Sequence, residues 1–275
     1  MAGQKLFPTH IFEIRRWLRD RSIKRQLKRP ESRTQYWNDL AKQCADRSLI
    51  QLLESTLSLP RDVIECDVYH GGSLMRIAHA IKANRSDKRV FGLDSFGGFP
   101  EDSVTATDLS AGRWLSRLQK KFRFCADAPG HLRMIADAFD LNIELVQGYF
   151  CNTLPRVQNQ SFCFIHLDVD LYQSYKECPE GLYDRLVPGG VIVFDEWECE
   201  KWPGGTLAIK EFFSSLPEKF QTTSDRKDPA NYVRKLLTNS SRRVASRRCG
   251  PAFPPQVGHK SRPAQTELEH LCVLS

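Results

Sequence analysis

The chain has 275 residues, 41% of them hydrophobic and 27% charged, enough for one sizeable α/β domain with appendages and too few for two full domains. The formal net charge of +7 gathers at the ends: residues 1–33 carry ten Lys/Arg against three acids and residues 238–275 six against two, leaving −4 between them. That acidic middle argues against a nucleic-acid partner. The beginning has no uninterrupted apolar core of a secretory signal, and no segment approaches the roughly 18 apolar residues of a membrane span, so a soluble, cytoplasmic protein without stable membrane insertion is expected.

In chain order, apolar residues at 7, 11, 14 and 18 form a helical stripe flanked by Arg15, Arg16, Arg19, Arg21, Lys24 and Arg25, a basic amphipathic helix. It reads either as docking on its own domain or a second subunit, or as contacting an anionic membrane or acidic partner. Pro30 breaks it, and residues 36–57 carry a second helical pattern. Residues 1–59 thus form an N-terminal helical region, whose helices suggest a homodimer. Strands are then expected over 63–68, 90–93, 143–146, 162–167, 191–194 and 232–235. Helices are expected over 73–83, 174–186 and 206–215, and a helical and loop section over 109–139. This alternation predicts an α/β domain over 60–237 with a mostly parallel sheet and helices on both faces. Residues 238–275, rich in Ser, Arg, Pro and Gly, read as a disordered tail. Nine scattered cysteines without a C-x-x-C pair read as free thiols, Cys66 and Cys163 being small core residues.

The chemistry concentrates where apolar runs end in acids. Phe164-Ile165-His166-Leu167 leads into Asp168-Val169-Asp170, and Val191-Ile192-Val193-Phe194 into Asp195-Glu196. Carboxyl ends of adjacent parallel strands converge on the ligand crevice, so Asp168, Asp195 and Glu196 can meet there. Three carboxylates together repel and raise one another's pKa unless a hard divalent cation lies between them. Upstream, Ile64-Glu65-Cys66-Asp67-Val68-Tyr69-His70-Gly71-Gly72-Ser73 is a strand, a tight glycine turn and a helix start. It could admit a small polar ligand or be purely structural, and it lacks G-x-G-x-x-G spacing. Asp94, ending the strand Val90-Phe91-Gly92-Leu93, is placed to accept hydrogen bonds from both ribose hydroxyls, or else to cap the turn before Ser95.

These blocks, with Gly92-Leu93-Asp94-Ser95-Phe96-Gly97-Gly98-Phe99-Pro100, Gly148-Tyr149-Phe150-Cys151-Asn152-Thr153-Leu154-Pro155, Pro188-Gly189-Gly190 and Tyr232-Val233-Arg234-Lys235, resemble one family. It is the macrocin O-methyltransferase (TylF/MycF-like) group of class I S-adenosylmethionine-dependent methyltransferases, matched in family order over about residues 62–236. The resemblance implies a Rossmann-like fold with a seven-stranded, mostly parallel sheet. It also implies S-adenosyl-L-methionine and Mg2+ as cofactors, and methylation of a small-molecule hydroxyl, typically on a sugar of a natural product. Carried over by position, Glu65, Gly71, Gly72 and Ser73 would hold the methionine end and Asp94 the ribose, with Gly148 and Phe150 near adenine and Ser95 also among the cofactor-binding residues. Asp168, Asp195 and Glu196 would ligate the metal; Glu196 stands where the family more often has aspartate, and its extra methylene moves the carboxylate.

A sugar hydroxyl is too weakly acidic to attack a sulfonium methyl unaided, so Asp168 or Asp170 is expected to take its proton, with His166 a further contender. Asp170 could instead cap the following helix. Residues 101–124 read as a substrate lid in which Trp114 either stacks on the acceptor or anchors a helix. Competing readings are a nicotinamide or nucleotide-sugar enzyme, a nucleic-acid methyltransferase, which would need a base-stacking motif absent here, and a catalytically idle scaffold acting through the basic helix or the tail.

Overall fold

Central strands whose side chains are buried at every position can exist only when both faces of the sheet are covered, and β2 and β4 below meet that condition throughout. The computed structural model describes residues 47–100, 103–109 and 128–237, together with Arg29, Glu31, Ser32 and Gln35. The basic helix, residues 36–46 of the expected 36–57 helix, Trp114 and the 238–275 tail lie outside the described residues. The elements run α1 (Arg47–Glu54), β1 (Asp62–Cys66), α2 (Gly72–Ala83), β2 (Val90–Asp94), α3 (Ala106–Leu109), α4 (Ala128–Phe139), β3 (Ile143–Gln147) and α5 (Phe150–Thr153). They continue with β4 (Phe162–Leu167), α6 (Tyr172–Leu182), β5 (Leu186–Phe194), α7 (Pro203–Phe213), β6 (Phe220–Thr222) and β7 (Asn231–Arg234).

The seven strands form one sheet of order β3-β2-β1-β4-β5-β7-β6. The first five are parallel; β7 is antiparallel to β5 and to β6. Alternation along the strands sorts the core into two layers. Val63, Phe164 and Val191 face the layer built by α1, α2 and α4, while their neighbours Ile64, Ile165 and Ile192 face the layer built by α6 and α7. Each fully buried aliphatic or aromatic side chain contributes about 1.5–3 kcal/mol, so the central strands dominate the stability of the sheet. Leu49, Leu52 and Leu53 of α1 belong to the first layer, which joins this helix to the sheet core.

The structure departs from expectation in three places. The helix beginning at Tyr172 ends at Leu182, passes through a 3-10 turn, Tyr183–Arg185, and β5 starts at Leu186. Helix α7 begins earlier than expected, with Pro203 in its first turn, where the missing N–H costs nothing. The three-residue β6 carries no periodic signal. No helix among the described residues is long and apolar enough to cross a membrane.

Gly71 caps α2 with φ +81°, and a Cβ placed there would lie 2.2 Å from Cδ2 of Leu132. The glycine therefore serves the packing of α4 on this turn as well as its left-handed backbone. Gly71→Ala is expected to lower the unfolding free energy by ~2–4 kcal/mol, from the left-handed backbone cost and the displacement of Leu132; urea titration reads it directly.

Candidate active site

The parallel topology brings the carboxyl ends of β1, β2, β4 and β5 to one edge of the sheet. A cavity of about 320 Å³ lies there, and Asp94, Ser95, Gly148 and Phe150 line it, as do Asp67 and Val169. Asp94 is nearly buried. One carboxylate oxygen accepts the backbone N–H of Val68 at 2.8 Å and of Tyr69 at 2.6 Å, and the other that of Phe96 at 2.5 Å. It thus ties the turn after β1 to the turn after β2. Asp67 lies beside it with φ +66°. Burial pushes the Asp67 carboxyl well up, and the charges of Asp94 and Asp170 add to this. No local pattern singles out Asp67, since an acid before a glycine turn reads as a turn residue.

Glu65, Gly71, Gly72 and Ser73 do not line the cavity. Glu65 is fully buried; Ser73 donates its hydroxyl to Oε1, and Nδ1 of His166 lies 3.1 Å from the same oxygen. Oε2 of Glu65 has no partner, a buried acceptor that suits a cationic group of a ligand. Glu65 and His166 are register partners in β1 and β4, so the pairing follows from strand alignment. Burial alone would lower the His166 pKa, but the hydrogen bond and charge of Glu65, with Asp168 and Asp195, hold it up to about 9.

Leu167 and Phe194 are register partners, so Asp168 and Asp195 follow from matched positions, and the Asp195 N–H donates to the Leu167 carbonyl at 3.0 Å. One carboxylate oxygen from each of Asp168, Asp195 and Glu196 lies within 4.8 Å of the others. Burial, then the charges of Glu196 and Asp195, push Asp168 well above the usual carboxylate range; burial, then Asp170 and Asp195, do the same to Glu196. Asp170, at φ +61°, is also raised by burial and by Asp168, with Lys201 opposing. An all-oxygen donor set under this repulsion fits a hard divalent cation. Glu196 is 2% exposed and its carboxylate meets the hydroxyl of the fully buried Tyr175, a contact no sequence pattern announces.

Of the expected lid, residues 103–109 are described, and Ser103 and Thr105 line the cavity. Asp108, fully buried, accepts from the N–H and hydroxyl of Thr105 at 2.8 and 2.7 Å, and its other oxygen accepts the Tyr172 N–H at 3.1 Å. It pins this segment to the first turn of α6. A Cβ on Gly204 would lie 2.1 Å from the same Asp108 oxygen, so the start of α7 closes on the pin. Leu171 and Trp202, with Phe99 and Val104 against them, form a small separate core alongside.

The family model described as Macrocin-O-methyltransferase (TylF) matches residues 47–244. The chain is 31% identical over 146 residues to the 8-demethyl-8-(2,3-dimethoxy-alpha-L-rhamnosyl)-tetracenomycin-C 4'-O-methyltransferase of Streptomyces olivaceus, covering 52% of this chain and 55% of that protein. It is 27% identical over 159 residues to the mycinamicin III 3''-O-methyltransferase of Micromonospora griseorubida, covering 54% and 61%. The chain thus spans little more than half the length of these curated relatives. The solved structure of the O-methyltransferase NovP superimposes with a TM-score of 0.58 at 22% identity, covering 69% of this chain and 78% of that one, a likeness of fold.

Two outcomes test this geometry. His166 is held above its ordinary pKa of about 6.5, so its contribution to stability, on the order of 3 kcal/mol, is full below pH ~6.5 and lost as pH rises through about 9. Imidazole NMR and denaturation of chelated protein across that range check it. Asp108→Ala should cost ~1–3 kcal/mol through the lost cap and the orphaned Thr105 donors, and hydrogen exchange of the Tyr172 amide should accelerate with it.

Proposed function

The chain belongs to the macrocin-O-methyltransferase (TylF) family, and from that premise we propose that it is an S-adenosylmethionine- and Mg2+-dependent O-methyltransferase acting on a sugar hydroxyl of a glycosylated small molecule. The observation that carries this reading is the meeting of Asp168, Asp195 and Glu196 at the same sheet edge as the Asp94 cavity. The rhamnosyl group in the name of the Streptomyces olivaceus relative supports a sugar acceptor.

In this reading the cavity holds the nucleoside end of the methyl donor between Asp94 and Ser95 on one side and Gly148 and Phe150 on the other. A carboxylate offers about four lone-pair sites, and three of those on Asp94 already accept backbone N–H groups. Asp94 therefore takes one ribose hydroxyl, and Asp67 supplies the second polar partner. The unpartnered Oε2 of Glu65 is a buried acceptor behind the cavity wall, and it would meet the amino group of the methionine end only if the turn at Gly71 moved on binding. Asp168, Asp195 and Glu196 would hold the cation, which when bound would polarise the acceptor hydroxyl and stabilise developing alkoxide charge. Asp168 or Asp170, at the end of β4 beside the cavity, would accept the hydroxyl proton as its oxygen forms the new O–CH3 bond and the S–CH3 bond of the donor breaks. His166 is engaged with Glu65 and positions it.

Calorimetric titration with S-adenosylmethionine, with Mg2+ and after chelation, tests the assignment. Wild type should bind saturably, and Asp94→Ala, assayed well below its own melting temperature, should weaken binding at least ~10-fold. Asp168→Asn should retain donor binding and lose Mg2+-dependent transfer to rhamnosylated acceptors. A folded wild type that binds no donor in either metal state would overturn the proposal.

A further inference from the structure

The third acid of the cluster depends on a residue outside it. Glu196 is the most buried of the three, and its side chain reaches inward, where the Tyr175 hydroxyl meets its Oε2. The same phenol oxygen lies 2.9 Å from the Leu167 carbonyl, an alternative acceptor for its single proton, and accepts the Glu196 N–H at 3.4 Å. Tyr175 thus bridges the last residue of β4 and the acid following β5, the two strand ends that carry the cluster. Its ring is fixed: it is fully buried on α6, tilted against Phe194 at 6.5 Å, and closed in by Gly205. A Cβ on Gly205 would lie 2.9 Å from that ring and 3.1 Å from Cβ of Glu196, so the glycine leaves the space in which both side chains fit. From the other side, the Thr206 hydroxyl donates to the Glu196 carbonyl at 3.0 Å and accepts the Glu198 N–H at 2.8 Å. Tyr175 thus holds the carboxylate and N–H of Glu196, and Thr206 its carbonyl.

We propose that Tyr175 is a positioning residue for cation binding, its hydroxyl holding the Glu196 carboxylate in the orientation that lets it share an ion with Asp168 and Asp195. The longer glutamate side chain has one more rotatable bond than an aspartate, and the phenol removes that freedom before the ion arrives. This inference rests on the cation reading above and adds to it a group that touches neither substrate nor ion.

The test is binding of Mn2+ alone, followed by electron paramagnetic resonance and calorimetry without methyl donor or acceptor. It uses wild type, Tyr175→Phe, Glu196→Asp and the double variant, each with a thermal melt. Tyr175→Phe keeps the ring and its packing, and should weaken Mn2+ binding ~10–100-fold, the range found when groups orienting metal ligands are removed. In the Glu196→Asp background the shortened carboxylate no longer reaches the phenol, so the same Tyr175→Phe change should cost less than about 2-fold. A purely structural tyrosine would lower the melting temperature in both backgrounds and leave Mn2+ affinity unchanged; that result, or equal losses in both backgrounds, overturns the proposal. Failure of folded wild type to bind Mn2+ would instead sink the cation reading itself, and this inference with it.

Discussion

Like charges crowded at one edge of a parallel sheet are the constraint to which the rest of the molecule answers. Parallel topology sends β1, β2, β4 and β5 out on the same side, and the chain places Asp67, Asp94, Asp168, Asp170, Asp195 and Glu196 at or just past those ends. Coulomb repulsion between such groups is weak in water but severe when burial removes the solvent. Several of these carboxyls are accordingly pushed well up. Each is given a different answer: Asp94 receives backbone N–H donors, Glu196 a phenol, and Asp170 the field of Lys201. Asp168 has the opposing charge of His166, and Asp195 stays exposed to solvent.

The same crowding reaches the backbone. Asp67, Tyr69, Phe96, Asp170 and Glu198 all have positive φ, and all follow strand ends at this edge. A left-handed conformation costs a non-glycine residue about 1–2 kcal/mol, less for aspartate, whose short side chain can bond locally. Evolution of a looser loop would remove that cost. The strain persists because the turns must redirect the chain sharply while aiming carboxylates inward, and because Asp94 clamps two of them by their amides.

What could be read from the sequence follows from how local each cause is. Strands β1 to β5 were legible as apolar runs, and Asp168 and Asp195 as acids ending two of them, because both signals lie within ten residues. The start of β5 was not, since Leu186-Val187-Pro188-Gly189-Gly190 carries turn residues in a stretch that pairs only through its neighbour. Partnerships made by the fold were likewise hidden. Tyr175 meets Glu196 across 21 positions, and Asp108 meets Tyr172 across 64. Glu65 and His166 were each visible, but their pairing required the register of β1 on β4. Their burial also places Glu65 behind the cavity rather than in its wall, a distinction that a motif cannot make.

The roof over the edge is organised by a different physics from its floor. The floor is a rigid sheet whose side-chain directions are imposed by pleat and register. The described part of the roof, residues 103–109, is too short for a self-supporting helix and is held by one buried carboxylate and a five-residue apolar cluster. Asp108 bonds the segment to the first turn of α6, which follows Asp170 directly, while Trp202 of the same small core immediately precedes α7, which follows Glu196. Roof and acid-bearing loops therefore share anchor points. A displacement of the segment would be felt first at the starts of α6 and α7, the helices that follow the acid-bearing loops.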